Sequence, residues 1–340
     1  MGVLVVGPTR VTVAEVARYA GVSSAVVSYV VNDGPRRVAP GTARRVREAI
    51  EVLGYRPNGS ARALRTGRTG IVGLVLPGTS NPFFGEYADA LHAAADRAGI
   101  GLLTAGSGGA AASEATAVER IARRDVDGLI VATSISPADI SGVSYPRLPT
   151  VLVDCPFPVP GYSTVGPEAS EGARELVEHL LLVHGHPSVA HVAGQGVDIE
   201  PDLRQVGWAD AHRRHGRSPG PVTVTDYTRA GGHRGCLDLL GSGPPPSAIF
   251  VGSDLQADGV LRALAESGLR VPEDVAVVSF DGTDQSAYTS PPLTVVRQPI
   301  LAMATAAVET VLDTAGPSHR AFAMDMITRR SCGCSGPATG

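Results

Sequence analysis

The chain contains no lysine: all 29 basic residues among its 340 are arginine. That excludes a GxxxxGK phosphate loop, which needs a lysine on the β- and γ-phosphates. It equally excludes a Schiff-base lysine, a pyridoxal-phosphate site and a Ser–Lys dyad. Cysteine is scarce too. Cys155, Cys236, Cys332 and Cys334 are too few for a disulfide framework. Cys332-Gly333-Cys334 is spaced more tightly than a routine structural zinc half-site, and no second pair lies near it in the sequence, so no metal ligands are expected. His184-Gly185-His186 reads as a helix-to-strand turn, not a zinc site. No run reaches the roughly 18 apolar residues of a membrane span. The opening Met1–Arg10 lacks the basic start and cleavage site of an export signal, so a cytoplasmic location is expected. There is no Gly-x-Ser-x-Gly elbow and no catalytic constellation, which argues against an enzyme.

The composition, 43% hydrophobic and 18% charged, is that of a globular protein, and the length allows about two or three domains. The net charge of -4 hides a division. Residues 9–68 hold 11 arginines against four acids (Glu15, Asp33, Glu48, Glu51), a local +7, while the remainder carries -11. A basic block on an acidic body points to an appended nucleic-acid-binding module.

Local patterning inside that block is specific. Thr12 with Glu15 forms a Thr-x-x-Glu capping box ahead of a helix over Val13–Ala20. Val13, Val16, Ala17 and Ala20 share one face, and Gly21 suits a left-handed helix end. Ser23 can cap a second helix, Ser24–Val31, with Val27, Val30 and Val31 as its apolar stripe. Two short helices joined by a tight glycine turn make a helix-turn-helix, whose second helix enters a major groove. A turn at Asn32–Pro35 precedes a third helix from Pro40 to about Leu53, with Val46, Ala49, Ile50 and Leu53 inward and Arg44, Arg45 and Arg47 turned to solvent or phosphate. Ala39 is a poor cap for it.

These segments resemble the LacI/GalR family of transcriptional regulators: Val13-Ala14-Glu15-Val16-Ala17-Arg18-Tyr19-Ala20-Gly21-Val22-Ser23, Val27-Ser28 and Val31-Asn32, then Gly54-Tyr55-Arg56-Pro57-Asn58 and Ala61–Gly67. The resemblance continues through Ser80-Asn81-Pro82-Phe83-Phe84, Val271–Val275 and Ser290–Thr294, in the family's order. It implies that Ser24, Ala25 and Tyr29 read bases, that Ser23 and Ser28 contact phosphate, and that Asn32 belongs to the same surface. It also implies a hinge segment in which Asn58 and Ala61 follow the minor groove and Leu64 wedges into a base step. Where this chain has Tyr29 the family often has arginine. Arginine reads guanine with two hydrogen bonds and tyrosine cannot, and Ala25 offers only a methyl, so a different operator half-site is expected.

From Gly70 onward strands and helices alternate, which predicts parallel doubly wound sheets. About 270 residues exceed one such sheet, and the resemblance implies a periplasmic-binding-protein-like pair of subdomains crossed three times by the chain. The expected division is a helix-turn-helix domain at 9–55, a hinge at 56–68 and a body at 69–331, with a first subdomain of about 69–165 plus 296–331 and a second of about 166–295.

Ligands in such sheets bind beyond the carboxyl ends of the strands, where Asn81, Asp154, Ser253, Asp254 and Asp281 are expected. Asp254 is read as structural. Arg204, ahead of Gly207-Trp208, matches the family's effector-binding arginine, and Tyr227 a position that stacks on the ligand. Phe83 or Phe84 would supply the opposite wall. Carboxylates with one arginine and flanking rings suit a polyhydroxylated molecule. Gly106-x-Gly108-x-x-Ala111 is not a dinucleotide fingerprint, because no acid ends the following strand.

The expected protein is a homodimeric, nucleoid-associated repressor. It would bind a palindromic operator on double-stranded DNA and answer to a small effector, a sugar by default, with no cofactor, metal or membrane. A solute receptor, or an α/β enzyme acting on sugars or nucleotides, is the rival reading. The receptor would need an export signal and no helix-turn-helix.

Overall fold

The computed structural model describes residues 11–31, 36–56, 67–108, 111–133, 148–194, 202–313 and 315–335. Two compact units divide the chain, Met1–Thr69 and Gly70–Gly340.

In the N-terminal unit, helices α1 (Val13–Ala20), α2 (Ser24–Val31) and α3 (Pro40–Leu53) follow the sequence reading. The capping box is made in full: Glu15 N donates to Thr12 Oγ1, and Thr12 N donates to Glu15 Oε2 at 2.7 Å. Gly21 and Gly54 end α1 and α3 in the left-handed conformation. Ala39 makes no side-chain cap, and Pro40, whose missing N–H costs nothing there, opens α3 instead. Val16, Ala17, Ala20, Val27, Val46, Ala49 and Tyr55 form the core, with Val30, Val31, Ile50 and Leu53 packed at its edge.

Among the described residues, the larger unit contains two six-stranded sheets. Strands β1 (Ile71–Leu76), β2 (Gly101–Gly106), β3 (Leu129–Ala132), β4 (Thr150–Val153), β5 (Ser163–Pro167) and β11 (His319–Phe322) form an all-parallel sheet in the order β11-β5-β4-β3-β1-β2. Helices α4 (Pro82–Ala98), α5 (Ala111–Ala122) and α10 (Ile300–Leu312) cover it. The second sheet has the order β12-β10-β9-β8-β6-β7, from β6 (Ala190–Gly194), β7 (Val222–Thr225), β8 (Ala248–Val251), β9 (Ala276–Asp281), β10 (Thr294–Arg297) and the antiparallel edge β12 (Asp325–Ile327). Its helices are α6 (Ala169–Glu178), α7 (Leu203–Arg214), α8 (Arg229–Gly241) and α9 (Asp254–Glu266). The central strands are apolar and buried throughout, as a parallel sheet covered on both faces requires.

One expectation needs correction. The C-terminal segment does not stay in the first subdomain to residue 331: after β11 it returns to the second sheet, where β12 pairs with β10, and Met324 and Cys332 enter that core. Helix α6 is α-helical to Glu178, and His179–Val183 continues it as a π-helical turn.

Glycines set the closest approaches. A Cβ on Gly232 would lie 2.0 Å from Gln256 O, and one on Gly259 2.0 Å from Arg229 O, so α8 and α9 meet backbone to backbone. Gly259→Ala is expected to cost about 2 kcal/mol or more through overpacking. Gly241→Ala, with nothing within 4 Å, should be neutral or slightly stabilising. Thermal unfolding of the two variants beside the parent protein checks the contrast.

Candidate DNA-reading helix and ligand cleft

On α2 the valines face inward, so Ser23, Ser24 and Ala25 are exposed and Ser28 and Tyr29 half-buried on the opposite side. Tyr29 is not part of the domain core. It lines a concavity with Arg36, Arg37 and Arg47, which places basic side chains beside the reading helix. Arg44 and Arg45 are likewise exposed on α3. Asn32, Asn58, Ala61 and Leu64 lie outside the described residues.

The candidate ligand site, a polar cluster, lies at the carboxyl ends of strands in both sheets. Asp154 follows β4, Asp281 ends β9, and Tyr227 lies two residues beyond β7. Arg204, on the first turn of α7, is the centre. Its Nη1 donates to Gly252 O at 2.6 Å, its Nη2 lies 3.8 Å from Asp281 Oδ1, and its guanidinium sits 4.3 Å from the Phe280 ring centroid and 5.0 Å from that of Tyr227. Asp202 holds both neighbours: its Oδ1 accepts from Arg204 N at 3.0 Å, and its Oδ2 accepts from Tyr227 OH at 2.6 Å. Gly194, at the end of β6, must be glycine, because a Cβ there would fall 1.9 Å from the Tyr227 ring.

Gln298, where the chain leaves β10 for α10, completes the group. Its Nε2 donates to Asp281 Oδ1 at 3.0 Å, while its buried Oε1 has no hydrogen-bond partner among the described residues. Asp154 and Asp281 both have positive φ, 54° and 107°, a conformation that non-glycine residues hold only where the surroundings enforce it.

The electrostatics follow from burial. Desolvation raises Asp154 to about 6 against the pull of Arg204 and a hydrogen bond from Gln298. Burial also raises Asp281 and Asp254 above the ordinary carboxylate range. Burial works against the Arg204 charge, but Tyr227, Asp281, Asp202 and Asp154 outweigh it and hold the guanidinium protonated.

Of the expected cleft residues, Arg204, Tyr227, Asp154 and Asp281 come together. Asn81 caps α4, its Oδ1 accepting from Phe83 N at 3.1 Å. Phe84 is half-buried beside it, whereas Phe83 belongs to the core of the first subdomain, packed on Tyr87. Ser253 is also withdrawn: it is buried, accepts from Gln256 N and donates to Gln256 Oε1, both at 3.2 Å, as the cap of α9. Asp254 is structural, accepting from Ser279 Oγ at 2.5 Å and from Thr283 N and Oγ1 at 2.7 and 2.8 Å. Asp202 and Gln298 were not anticipated. A signal existed for Asp202, a carboxylate in cap position just ahead of Arg204. A bond from Asp284 N to Glu86 Oε1, 2.9 Å, links the second subdomain to α4 of the first.

The model of bacterial regulatory proteins of the lacI family matches residues 12–58, and that of the periplasmic binding protein-like domain matches 177–332. The ribose operon repressor of Escherichia coli (strain K12) is 31% identical over 292 residues, 85% of this chain and 88% of that protein. The HTH-type transcriptional repressor PurR of Aliivibrio fischeri (strain MJ11) is 30% identical over 331 residues, 94% of this chain and 98% of that protein. The crystal structure of the lac repressor dimer bound to operator and an anti-inducer superposes with a TM-score of 0.84 at 27% identity, covering 95% of this chain and 99% of that one. A complex of the transcriptional regulator CelR with cellobiose gives 0.70 at 28% identity, covering 95% of this chain and all of that one. Three described helices in the N-terminal unit, a two-sheet body with a polar cluster at its strand ends and relatives matched over most of their length agree: the chain belongs to the LacI family of bacterial regulatory proteins and is a DNA-binding transcriptional regulator, not an enzyme.

Proposed function

We propose that this regulator binds a polyhydroxylated small molecule, a sugar, in the cleft around Arg204, and that the bound sugar changes its affinity for a palindromic operator. The observation that carries the reading is an excess of acceptors. Among the described residues, Asp154, Asp281 and Gln298 Oε1, which has no hydrogen-bond partner there, gather round one guanidinium, so the described part of the site is short of hydrogen-bond donors. Sugar hydroxyls supply donors in number, and the Tyr227 ring covers a sugar's C–H face. A cellobiose complex among the structural neighbours supports the same class. Because the cleft takes side chains from both subdomains, a ligand there favours one relative arrangement of them, which is the differential contact that allosteric coupling needs. A dimer, as in the operator-bound lac repressor, presents two reading helices to successive major grooves. DNA binding places the protein on the nucleoid.

Thermal-shift screening of the whole chain against pentoses, hexoses, disaccharides and nucleosides tests the ligand class. A saturating sugar at about 100 times its Kd should add about 2.7 kcal/mol of stability. Stabilisation by nucleosides alone would overturn the sugar assignment.

Two predictions follow from the residues named. Tyr29 cannot make arginine's paired hydrogen bonds to guanine, so Tyr29→Arg should shift base preference toward guanine at the contacted position by about 1–3 kcal/mol. Selection from randomised duplexes, performed with both proteins, reads this directly. For Asp154, the folded value of about 6 exceeds the ordinary 3.8, so the folded state holds the extra proton between roughly pH 4 and 6 and its ionised carboxylate costs stability above that window. Asp154→Asn should therefore raise the melting temperature near pH 7.5, a gain of at most about 3 kcal/mol that shrinks as the pH falls from 6 toward 4. The same variant should lose sugar-induced stabilisation. Scanning fluorimetry across pH, with and without the sugar, checks both halves.

A further inference from the structure

The fold assembles a second polar cluster, away from the cleft, from residues far apart in sequence. His179 and His184 stand at the two ends of the π-helical turn, and Cys332 and Cys334 flank Gly333 near the end of the described chain. One ligand-type atom from each of the four lies within 4.8 Å of all the others. His179 Nε2 is 3.1 Å from His184 Nε2 and 3.5 Å from the sulfurs of both Cys332 and Cys334; Cys334 Sγ is 3.4 Å from His184 Nε2.

We propose that His179, His184, Cys332 and Cys334 bind a zinc ion that fastens the C-terminal Cys-Gly-Cys segment to the π-turn. A tetrahedron with Zn–N near 2.05 Å and Zn–S near 2.3 Å has edges of about 3.4 Å between nitrogens and about 3.5 Å between nitrogen and sulfur. The observed separations match those edges within a few tenths of an ångström. Two thiolates and two imidazoles select zinc among the common divalent ions, and four protein ligands leave no open position, so the site is structural, not catalytic.

The local backbone explains how the four converge. In an α-helix, residues five apart point in different directions. A π-turn, with about 4.4 residues per turn, returns the fifth residue close to the face of the first, and such turns recur at functional sites. Gly333, at φ 100°, folds Cys-x-Cys so that both sulfurs turn the same way, and a Cβ at that position would touch the His184 ring at 3.4 Å. Cys332 is buried in the core of the second subdomain, while Cys334 is half-buried. Thr294, the first residue of β10, lies with its Oγ1 3.0 Å from Cys332 Sγ, so the cluster sits at the amino end of that strand. The cleft, with Gln298 beyond the strand's carboxyl end, is at the opposite end, and the zinc assignment is independent of the sugar reading.

The test uses the full chain, purified under reducing conditions without a histidine tag. Metal analysis after equilibration with zinc should find about one ion per chain. Cobalt substitution should give the intense visible bands of a tetrahedral site together with sulfur-to-cobalt charge transfer in the near ultraviolet. Removing the metal with a chelator should lower the melting temperature by several degrees. C334S and H184Q, both at half-buried positions, should each cut bound zinc at least tenfold, whereas C236S, at a buried cysteine elsewhere in that subdomain, should retain it. Parent protein without tightly held zinc overturns the proposal. So does unchanged zinc content in the C334S/H184Q double variant, or a mass two hydrogens short that shows Cys332 and Cys334 joined as a disulfide.

Discussion

The partly buried guanidinium of Arg204 gathers the polar groups of the body of this regulator. Arg204 is the cation around which Asp154, Asp202 and Asp281 are brought out of water. Without it, the buried Asp281 carboxylate and the half-buried Asp154 would lose their compensating charge, a loss that costs several kcal/mol. Much of the surrounding geometry serves that compensation. Asp202 fixes the start of α7 and the Tyr227 hydroxyl together, Gly194 clears room for the Tyr227 ring, and two aspartates hold positive φ to aim their carboxylates inward. The group also joins the subdomains, because Asp154 comes from the first sheet and Arg204 and Asp281 from the second.

The absence of lysine gives this arrangement its character. Arginine stays charged under burial, where lysine readily gives up its proton, and its planar head stacks on Phe280 and Tyr227 while it bonds to Gly252 O. The same residue type serves the opposite purpose in the N-terminal unit, where Arg36, Arg37, Arg44, Arg45 and Arg47 stand exposed around the reading helix. One part of the chain uses arginine's permanence inside a low-dielectric cleft; the other uses its charge at the surface, where it can meet phosphate.

How far the sequence disclosed all this depended on the range of the signal. Local rules succeeded: the Thr12–Glu15 box, the helix end at Gly21 and the alternation of strands and helices rest on neighbours in the chain. Arg204 and Tyr227 were singled out through their motif context, and the fold places the guanidinium 5.0 Å from the Tyr227 ring centroid. For Ser253 and Phe83, position at a strand end or helix start did not say that the side chains enter a cap and a core. Gln298 gave no local sign, since its role comes from the crossover it occupies. The Cys332–Cys334 pair looked isolated because its histidine neighbours stand about 150 residues away, and a helical pattern does not announce a π-turn. The C-terminal return to the second sheet escaped notice because β12 is only three residues long and sits at an edge.

The account stands on the coupling between Arg204 and the acids it compensates. A double-mutant cycle with Arg204→Met and Asp281→Asn, read by denaturant unfolding of the full chain near pH 8, measures that coupling directly. Removing the carboxylate should be much less harmful, or even stabilising, once the guanidinium is gone, with a coupling energy of at least about 1 kcal/mol. Costs that add to within about 0.5 kcal/mol would contradict the claim that Arg204 holds the cleft together.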